Sequence, residues 1–302
     1  MSFSYDVKNE MCKIRPSGCC KFAQLYGMLL FSRAFSAVSI SASTEHEMVC
    51  SLYMQLLNAC FNIHTSIEIS GQKRKMFNVS VSSEMERKKI VTYYGQSDKE
   101  IYNGIIKREC CKMAFLRGAF LACGFIDDPN KDYFVEFVLP DSPLSDSFVK
   151  LLNELDLTPK TSKRGHHRIV YFKDSDQIEV LLTKMQASHY TLELMSIKIY
   201  KDIRNKVNRR NNCETANISK TVTAAVEQAR AIEYLEDTGV LYMLPVELVS
   251  AAMLRKINPS SSLNELCLRS SDPITRSGLN HRLQKLVAIA KEELENNKGK
   301  NE

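Results

Sequence analysis

No run of about 18 consecutive apolar residues occurs in the 302-residue chain, because its two most hydrophobic segments, Ala23 to Ile40 and Met113 to Ile126, are interrupted by Arg33 and Arg117. No membrane crossing is expected. Residues Met1 to Glu10 lack a basic patch followed by an apolar core and a small-residue cleavage site, so no secretory signal is expected either, and the implied compartment is the cytoplasm. Glycine and proline are scarce, at 11 and 8 residues, which excludes collagen-like and low-complexity classes. The ten cysteines form no C-x-x-C and no Cys/His quartet with zinc-ligand spacing. In a reducing compartment they read as small buried hydrophobes, not as a disulfide framework. No cofactor and no metal are called for.

What is present is globular: 44% hydrophobic and 25% charged residues, with a formal net charge of +6. The length favours two domains, each large enough to bury a core.

The chain repeats itself. Cys19-Cys20-Lys21-Phe22-Ala23-Gln24-Leu25-Tyr26-Gly27-Met28-Leu29-Leu30 aligns with Cys110-Cys111-Lys112-Met113-Ala114-Phe115-Leu116-Arg117-Gly118-Ala119-Phe120-Leu121, with seven of twelve positions identical at an offset of 91 (110 − 19). Each copy is followed by a helical segment (Met48 to Ile63; Ser145 to Leu157) and a hairpin. The first hairpin joins Thr65 to Ser70 and Phe77 to Ser82 around Gly71-Gln72-Lys73-Arg74-Lys75. The second joins Thr158 to Lys163 and Arg168 to Phe172 around Arg164-Gly165-His166-His167. The pseudo-repeats thus span about 19–95 and 110–190. Glycine inside each repeated helix costs about 1 kcal/mol relative to alanine. A close crossing explains it, with Gly27 and Gly118 letting the two helices approach backbone to backbone across a pseudo-twofold axis. Both hairpin tips are basic, Lys73, Arg74 and Lys75 in one and Lys163, Arg164 and Arg168 in the other. That footprint suits a polyanion, although solvated tips are often charged in any case.

A duplicated helix with a central glycine, followed by a hairpin, resembles the LAGLIDADG homing-endonuclease fold, and Leu116-Arg117-Gly118-Ala119-Phe120-Leu121-Ala122-Cys123-Gly124 aligns with its motif. In that family the acidic residue before the last glycine binds the divalent metal that cleaves DNA. Here that position is Cys123, and in the first copy, Leu25 to Arg33, it is Ser32. Neither is the hard oxygen donor that Mg²⁺ needs. Asp127 and Asp128 follow past the helix end, beside Pro129, where a turn is their commonest job.

From Lys198 to Arg210 six basic side chains, Lys198, Lys201, Arg204, Lys206, Arg209 and Arg210, meet one acid, Asp202. The stretch reads as a basic linker over 198–220 that lies along phosphates, or as a solvated helical face. Beyond it, Thr221 to Tyr234 carries Val222, Ala225, Ala229 and Ile232 on one helical face. Pro245 opens a helix with Val246, Val249, Met253 and Ile257 recurring. Ser262 with Glu265 makes a capping box for a short helix that turns Leu263, Leu266 and Cys267 inward. After the turn Ser270-Ser271-Asp272-Pro273, Thr275 caps a longer helix with Leu279, Leu283, Leu286, Ala290 and Leu294 inward. This is the pattern of a helix-turn-helix, whose recognition helix offers Arg276, Ser277, Asn280, His281, Arg282 and Lys285 to DNA, with Gly278 allowing close backbone approach.

Five segments extend the resemblance over nearly the whole chain: Ala114 to Ala122, Val170 to Ser175, Lys201 to Arg209, Asn212 to Asn217 and Ser277 to Leu283. Through them the sequence resembles the WhiA family, sporulation and cell-division regulators of Gram-positive bacteria. The resemblance implies an α+β fold class: a degenerate LAGLIDADG-like α/β domain over 1–197, then an all-α helix-turn-helix domain over 221–302. It implies a nucleoid-associated transcription regulator and not an enzyme, with roles in sporulation, cell division and chromosome segregation.

The expectation is therefore a regulator of double-stranded DNA whose N-terminal domain positions DNA, RNA polymerase or another transcription regulator. Two rivals remain: an active metal-dependent endonuclease, and a protein-interaction scaffold with incidental DNA contact. The net charge is modest and the tail Glu292-Glu293-Leu294-Glu295 offsets part of it, which predicts moderate, salt-sensitive affinity.

Overall fold

The computed structural model describes residues 2–71, 74–95 and 100–298. The chain divides into two compact units, residues 1–202 and 203–302.

The first unit starts with α1 (Phe3–Lys13), capped by the Ser2 hydroxyl, which accepts from the Tyr5 amide. Then come α2 (Cys19–Leu30), β1 (Ala34–Phe35), β2 (Ile40–Thr44), α3 (Glu47–Phe61), β3 (Glu68–Ser70), β4 (Met76–Ser80) and α4 (Glu84–Tyr94). The same order recurs as α5 (Glu109–Cys123), β5 (Gly124–Ile126), β6 (Val135–Pro140), α6 (Pro143–Asn153), β7 (Lys160–Arg164), β8 (His167–Phe172) and α7 (Ser175–Lys184). The two antiparallel sheets have matching strand orders, β1-β2-β4-β3 and β5-β6-β8-β7. The repeat seen in the sequence is thus a repeat of topology. The second hairpin is tighter than expected: Arg164 pairs with His167, which leaves only Gly165, at φ +60°, and His166 as the turn.

The two motif helices, α2 and α5, cross at their glycines. A Cβ on Gly27 would lie 2.2 Å from the Phe115 carbonyl oxygen, and one on Gly118 would lie 2.1 Å from that of Gln24. Both obstacles are backbone, so neither can rotate away, and only glycine permits this approach. Aromatic rings fill the space around the crossing, among them Tyr26 stacked on Tyr94 at 5.0 Å and Phe31 edge-on to Phe115 and Phe148. Arg117, buried beside Gly118, bonds across the repeat to Gln24 Oε1 at 2.9 and 3.1 Å and to Gln186 Oε1 at 2.7 Å. Burial pushes its guanidinium down to about 10.

Helix α8 (Ser188–Asp237) runs through the division between the units, and residues 202–223 of it are exposed throughout. The stretch expected as a basic linker is therefore helical. The second unit has its own core of Leu, Ile, Val and Ala side chains. A short 3₁₀ turn (Val240–Met243) leads to α9 (Val246–Ile257), α10 (Leu263–Arg269) and α11 (Arg276–Lys298). The expected inward faces need correcting in three helices. Val222, Val246, Ile257 and Leu294 are exposed. In α9 the buried face is Leu248, Ala251, Ala252 and Arg255, because small alanines let α9 pack closely where bulky Val246 and Ile257 could not.

Candidate nucleic-acid interface

The three helices α9, α10 and α11 are fixed by local chemistry that the sequence announces. At the start of α10 the Ser262 hydroxyl accepts from the Glu265 amide at 3.3 Å, and Glu265 Oε2 accepts from the Ser262 amide at 2.7 Å, a complete capping box. Arg255, buried in α9, donates to the Ser261 carbonyl at 2.6 Å and so holds the loop into α10. The short segment 270–275 then leads into α11, where the Thr275 hydroxyl accepts from the Gly278 amide at 3.1 Å. Leu279, Leu283, Leu286, Val287 and Ala290 bury one face of α11 against the core.

That burial leaves Arg276, Ser277, Asn280, His281 and Lys285 exposed on α11, with Arg282 and Gly278 half-buried. Among the described residues, Arg276, Arg282 and Lys285 make no ion pair. Arg276 and Asn280 also line a groove of about 190 Å³ whose other walls include Lys220 of α8 and Asn264 of α10. Lys220 and Asn264 escape the sequence reading because they lie outside the recognition helix, and only the packing of α8 and α10 brings them to its start. The nearest atoms to a Cβ on Gly278 would be those of the Thr275 and Ile274 side chains just before it, at 3.3 Å or more.

The hairpin cations are arranged differently. Arg74 pairs with Glu45 at 3.3 Å, Lys163 with Asp141 at 2.5 Å, Arg164 with Glu136 at 3.4 Å and Arg168 with Asp146 at 2.5 Å. Lys75 is exposed, and Lys73 lies outside the described residues. On α8, Lys201 donates to the Pro129 carbonyl at 2.6 Å and sits 4.6 Å over the Tyr133 ring, while Lys198 pairs with Asp176 and Arg210 with Glu214 at 2.9 Å. Arg204 and Arg209 are exposed.

At the C-terminal ends of the motif helices the side chains bond back onto their own backbone. Ser32 donates to the Leu29 carbonyl at 2.7 Å and Cys123 to the Ala119 carbonyl at 3.2 Å. Lys8 of α1 reaches in beside Cys123 and donates to the Leu121 carbonyl at 3.4 Å. Burial lowers the Lys8 amine to about 8 and raises the Cys123 thiol to about 12, so at neutral pH this corner holds an ammonium next to a neutral thiol. A cation and a thiol are poor company for Mg²⁺. Asp128 is occupied in a turn, where its Oδ1 accepts from the Asn130 amide and side chain at 2.9 and 3.0 Å.

The cysteines are not uniformly buried, as the sequence reading had them: Cys19, Cys110 and Cys213 are exposed. Two of these lie at the first turns of the motif helices, where the repeat places them on the surface of the crossing instead of within it.

A duplicated LAGLIDADG-like domain followed by a helix-turn-helix domain defines the class of protein. Residues 112–204 match the WhiA LAGLIDADG-like domain family and residues 207–290 the WhiA C-terminal HTH domain family. Proteins named "Probable cell division protein WhiA" from Alkaliphilus metalliredigens and Clostridium botulinum are 34% and 36% identical to this chain, each over 97% of it and 98% of the relative. The chain belongs to the WhiA family. The crystal structure of full-length DUF199/WhiA from Thermatoga maritima shares the fold, with a TM-score of 0.62 at 22% identity over 97% of this chain and 99% of that one. No described helix is long and apolar enough to cross a membrane.

Proposed function

We propose that this chain is a sequence-specific regulator of transcription that binds double-stranded DNA through α11, acts in cell division as its relatives' name states, and has no nuclease activity. The observation that carries the reading is that Arg276, Asn280 and Lys285 are exposed on a capped helix, with Arg276 and Lys285 in no ion pair among the described residues. Arginine can pair with the guanine edge and asparagine with the adenine edge in the major groove, while Ser277, His281, Arg282 and Lys285 serve phosphates or bases. In this reading residues 221–302 are the DNA-binding part and 198–220 a basic connection whose Arg204 and Arg209 add phosphate contacts. The N-terminal domain meets RNA polymerase or another regulator, and roles in sporulation and chromosome segregation follow from the regulated genes.

Loss of cleavage chemistry rests on Ser32 and Cys123 standing where two carboxylates are needed, with Lys8 beside Cys123. The test is DNA retention by the full chain carrying Arg276→Glu with Lys285→Glu. Loss of retention by a folded protein is expected. Unchanged DNA retention together with loss of a protein partner would favour the scaffold reading instead.

A further inference from the structure

The opposite ends of the motif helices hold a cluster that the DNA-binding reading leaves unused. Cys19 and Cys20 open α2, Cys110 and Cys111 lie in the first turn of α5, and the four Sγ atoms are all within 4.8 Å of one another. They are four free thiols, and Cys20 Sγ donates to the Cys110 carbonyl at 3.6 Å across the repeat. The cluster is a product of the fold's symmetry: a Cys-Cys pair at the start of one motif helix is duplicated, and the glycine crossing brings the copies together.

Four thiolates on a tetrahedron around Zn²⁺, at about 2.3 Å each, would be separated by about 3.8 Å. The present Sγ separations, at most 4.8 Å, exceed that value by only about 1 Å at the widest. Hard cations such as Mg²⁺ or Ca²⁺ take oxygen and do not suit this donor set. The surroundings favour the net negative charge of a tetrathiolate. Two helix N-termini point at it, and neither helix has a side-chain N-cap: Gly18 precedes α2 and Arg108 precedes α5 with no capping hydrogen bond from its side chain. First-turn amides are therefore free of an N-cap side-chain acceptor, and the Arg108 guanidinium adds a positive charge against the Glu109 carboxylate of the same turn. Cys19 and Cys110 are exposed, which gives a metal its way in, whereas Cys111 is buried and Cys20 half-buried.

We propose that Cys19, Cys20, Cys110 and Cys111 form a structural tetrathiolate Zn²⁺ site that ties the two halves of the N-terminal domain together across the pseudo-twofold axis. On binding, each thiol gives up its proton to solvent and its sulfur lone pair to the metal, with no change of oxidation state.

The experiment uses the full chain, purified under reducing conditions without chelator. Elemental analysis is expected to find one zinc per chain. An alkylating reagent should leave the exposed Cys19 and Cys110 unlabelled in the folded protein while it labels the exposed Cys213, and should label all ten cysteines once the chain is denatured with a chelator. Replacing zinc with Co²⁺ should give the intense sulfur-to-cobalt charge-transfer band and the visible bands of a tetrahedral CoS₄ centre. Cys19→Ser with Cys20→Ser, or Cys110→Ser with Cys111→Ser, should abolish both. If those variants do not fold, the wild-type stoichiometry and labelling still decide. Zinc below about a tenth per chain with Cys19 and Cys110 freely labelled, iron in place of zinc, or disulfides among the four in the unreduced mass spectrum would each overturn the proposal.

Discussion

At the sheet hairpins of the N-terminal unit, Arg74, Lys163, Arg164 and Arg168 each hold a carboxylate of the same chain, whereas along the first half of α11 the cations Arg276 and Lys285 hold none among the described residues. Both surfaces look basic in the sequence. They differ in what a phosphate would meet. A phosphate approaching Arg164 also approaches Glu136, and one approaching Arg168 also approaches Asp146, so the local field is close to neutral and few counterions are released on contact. Exposed ion pairs are individually weak, on the order of 1 kcal/mol or less, and can open, but the carboxylate left behind still repels. A basic sequence run is therefore not a basic surface until its internal partners are known.

The largest expected effect breaks the comparison on the α11 side. Reversing charge at Arg276 and Lys285 removes two cations and adds two anions, and should weaken DNA retention by about 100-fold or more in a binding titration at moderate salt. Gly118→Ala strikes the other unit. With a backbone carbonyl 2.1 Å from the new methyl, an unfolding titration should show a loss of about 3 kcal/mol while the core of α9 to α11 is untouched. Asn280→Ala should cost about 1 to 3 kcal/mol of specific binding and relax the preference at one base pair, read by competition with single-base variants. Ser262→Ala should cost about 1 kcal/mol of stability through the lost cap, with a matching loss of DNA affinity only as far as α10 frays.

A separate effect is one of pH. Burial raises the Cys12 and Cys123 thiols to about 12, so between pH 9 and 12 the folded chain keeps protons that the unfolded chain gives up, and stability falls as pH rises through that window. Lys8 works the other way: lowered to about 8, it makes the unfolded chain the better proton binder from about pH 8 to 10.5, where stability rises. Lys8→Met should therefore remove the rising contribution and steepen the alkaline loss, as measured by urea unfolding at pH 7, 8.5 and 10. An unchanged profile would mean that Lys8 is solvated in the folded protein.

Much of the fold was legible because its signals are local or periodic. The offset of 91 places β3, β4 and α2 onto β7, β8 and α5, and the paired glycines predict the crossing that the structure contains. Ser262, Glu265 and Thr275 announce their helix starts because a cap is a contact of three residues. What escaped depends on three-dimensional closure. The buried face of α9 follows its alanines, not its valines, since crossing distance and not hydrophobicity selects the side. Lys8 gains its place beside Cys123 only when α1 closes over α5. The four-thiol cluster follows no linear zinc spacing, although both Cys-Cys pairs stood aligned in the repeat. Ion pairing at the hairpins is likewise invisible in the sequence, because Glu136 and Asp146 lie 28 and 22 residues from their partners.

The most direct measurement compares the two surfaces in one protein: fluorescence anisotropy of the full chain on promoter and random duplexes at two salt concentrations, for wild type, Arg276→Glu with Lys285→Glu, and Arg74→Glu with Arg164→Glu. Preference for promoter DNA should vanish in the α11 variant and persist within about threefold in the hairpin variant. Persistence in the α11 variant with loss in the hairpin variant would move the reading head to the LAGLIDADG-like domain and contradict the account.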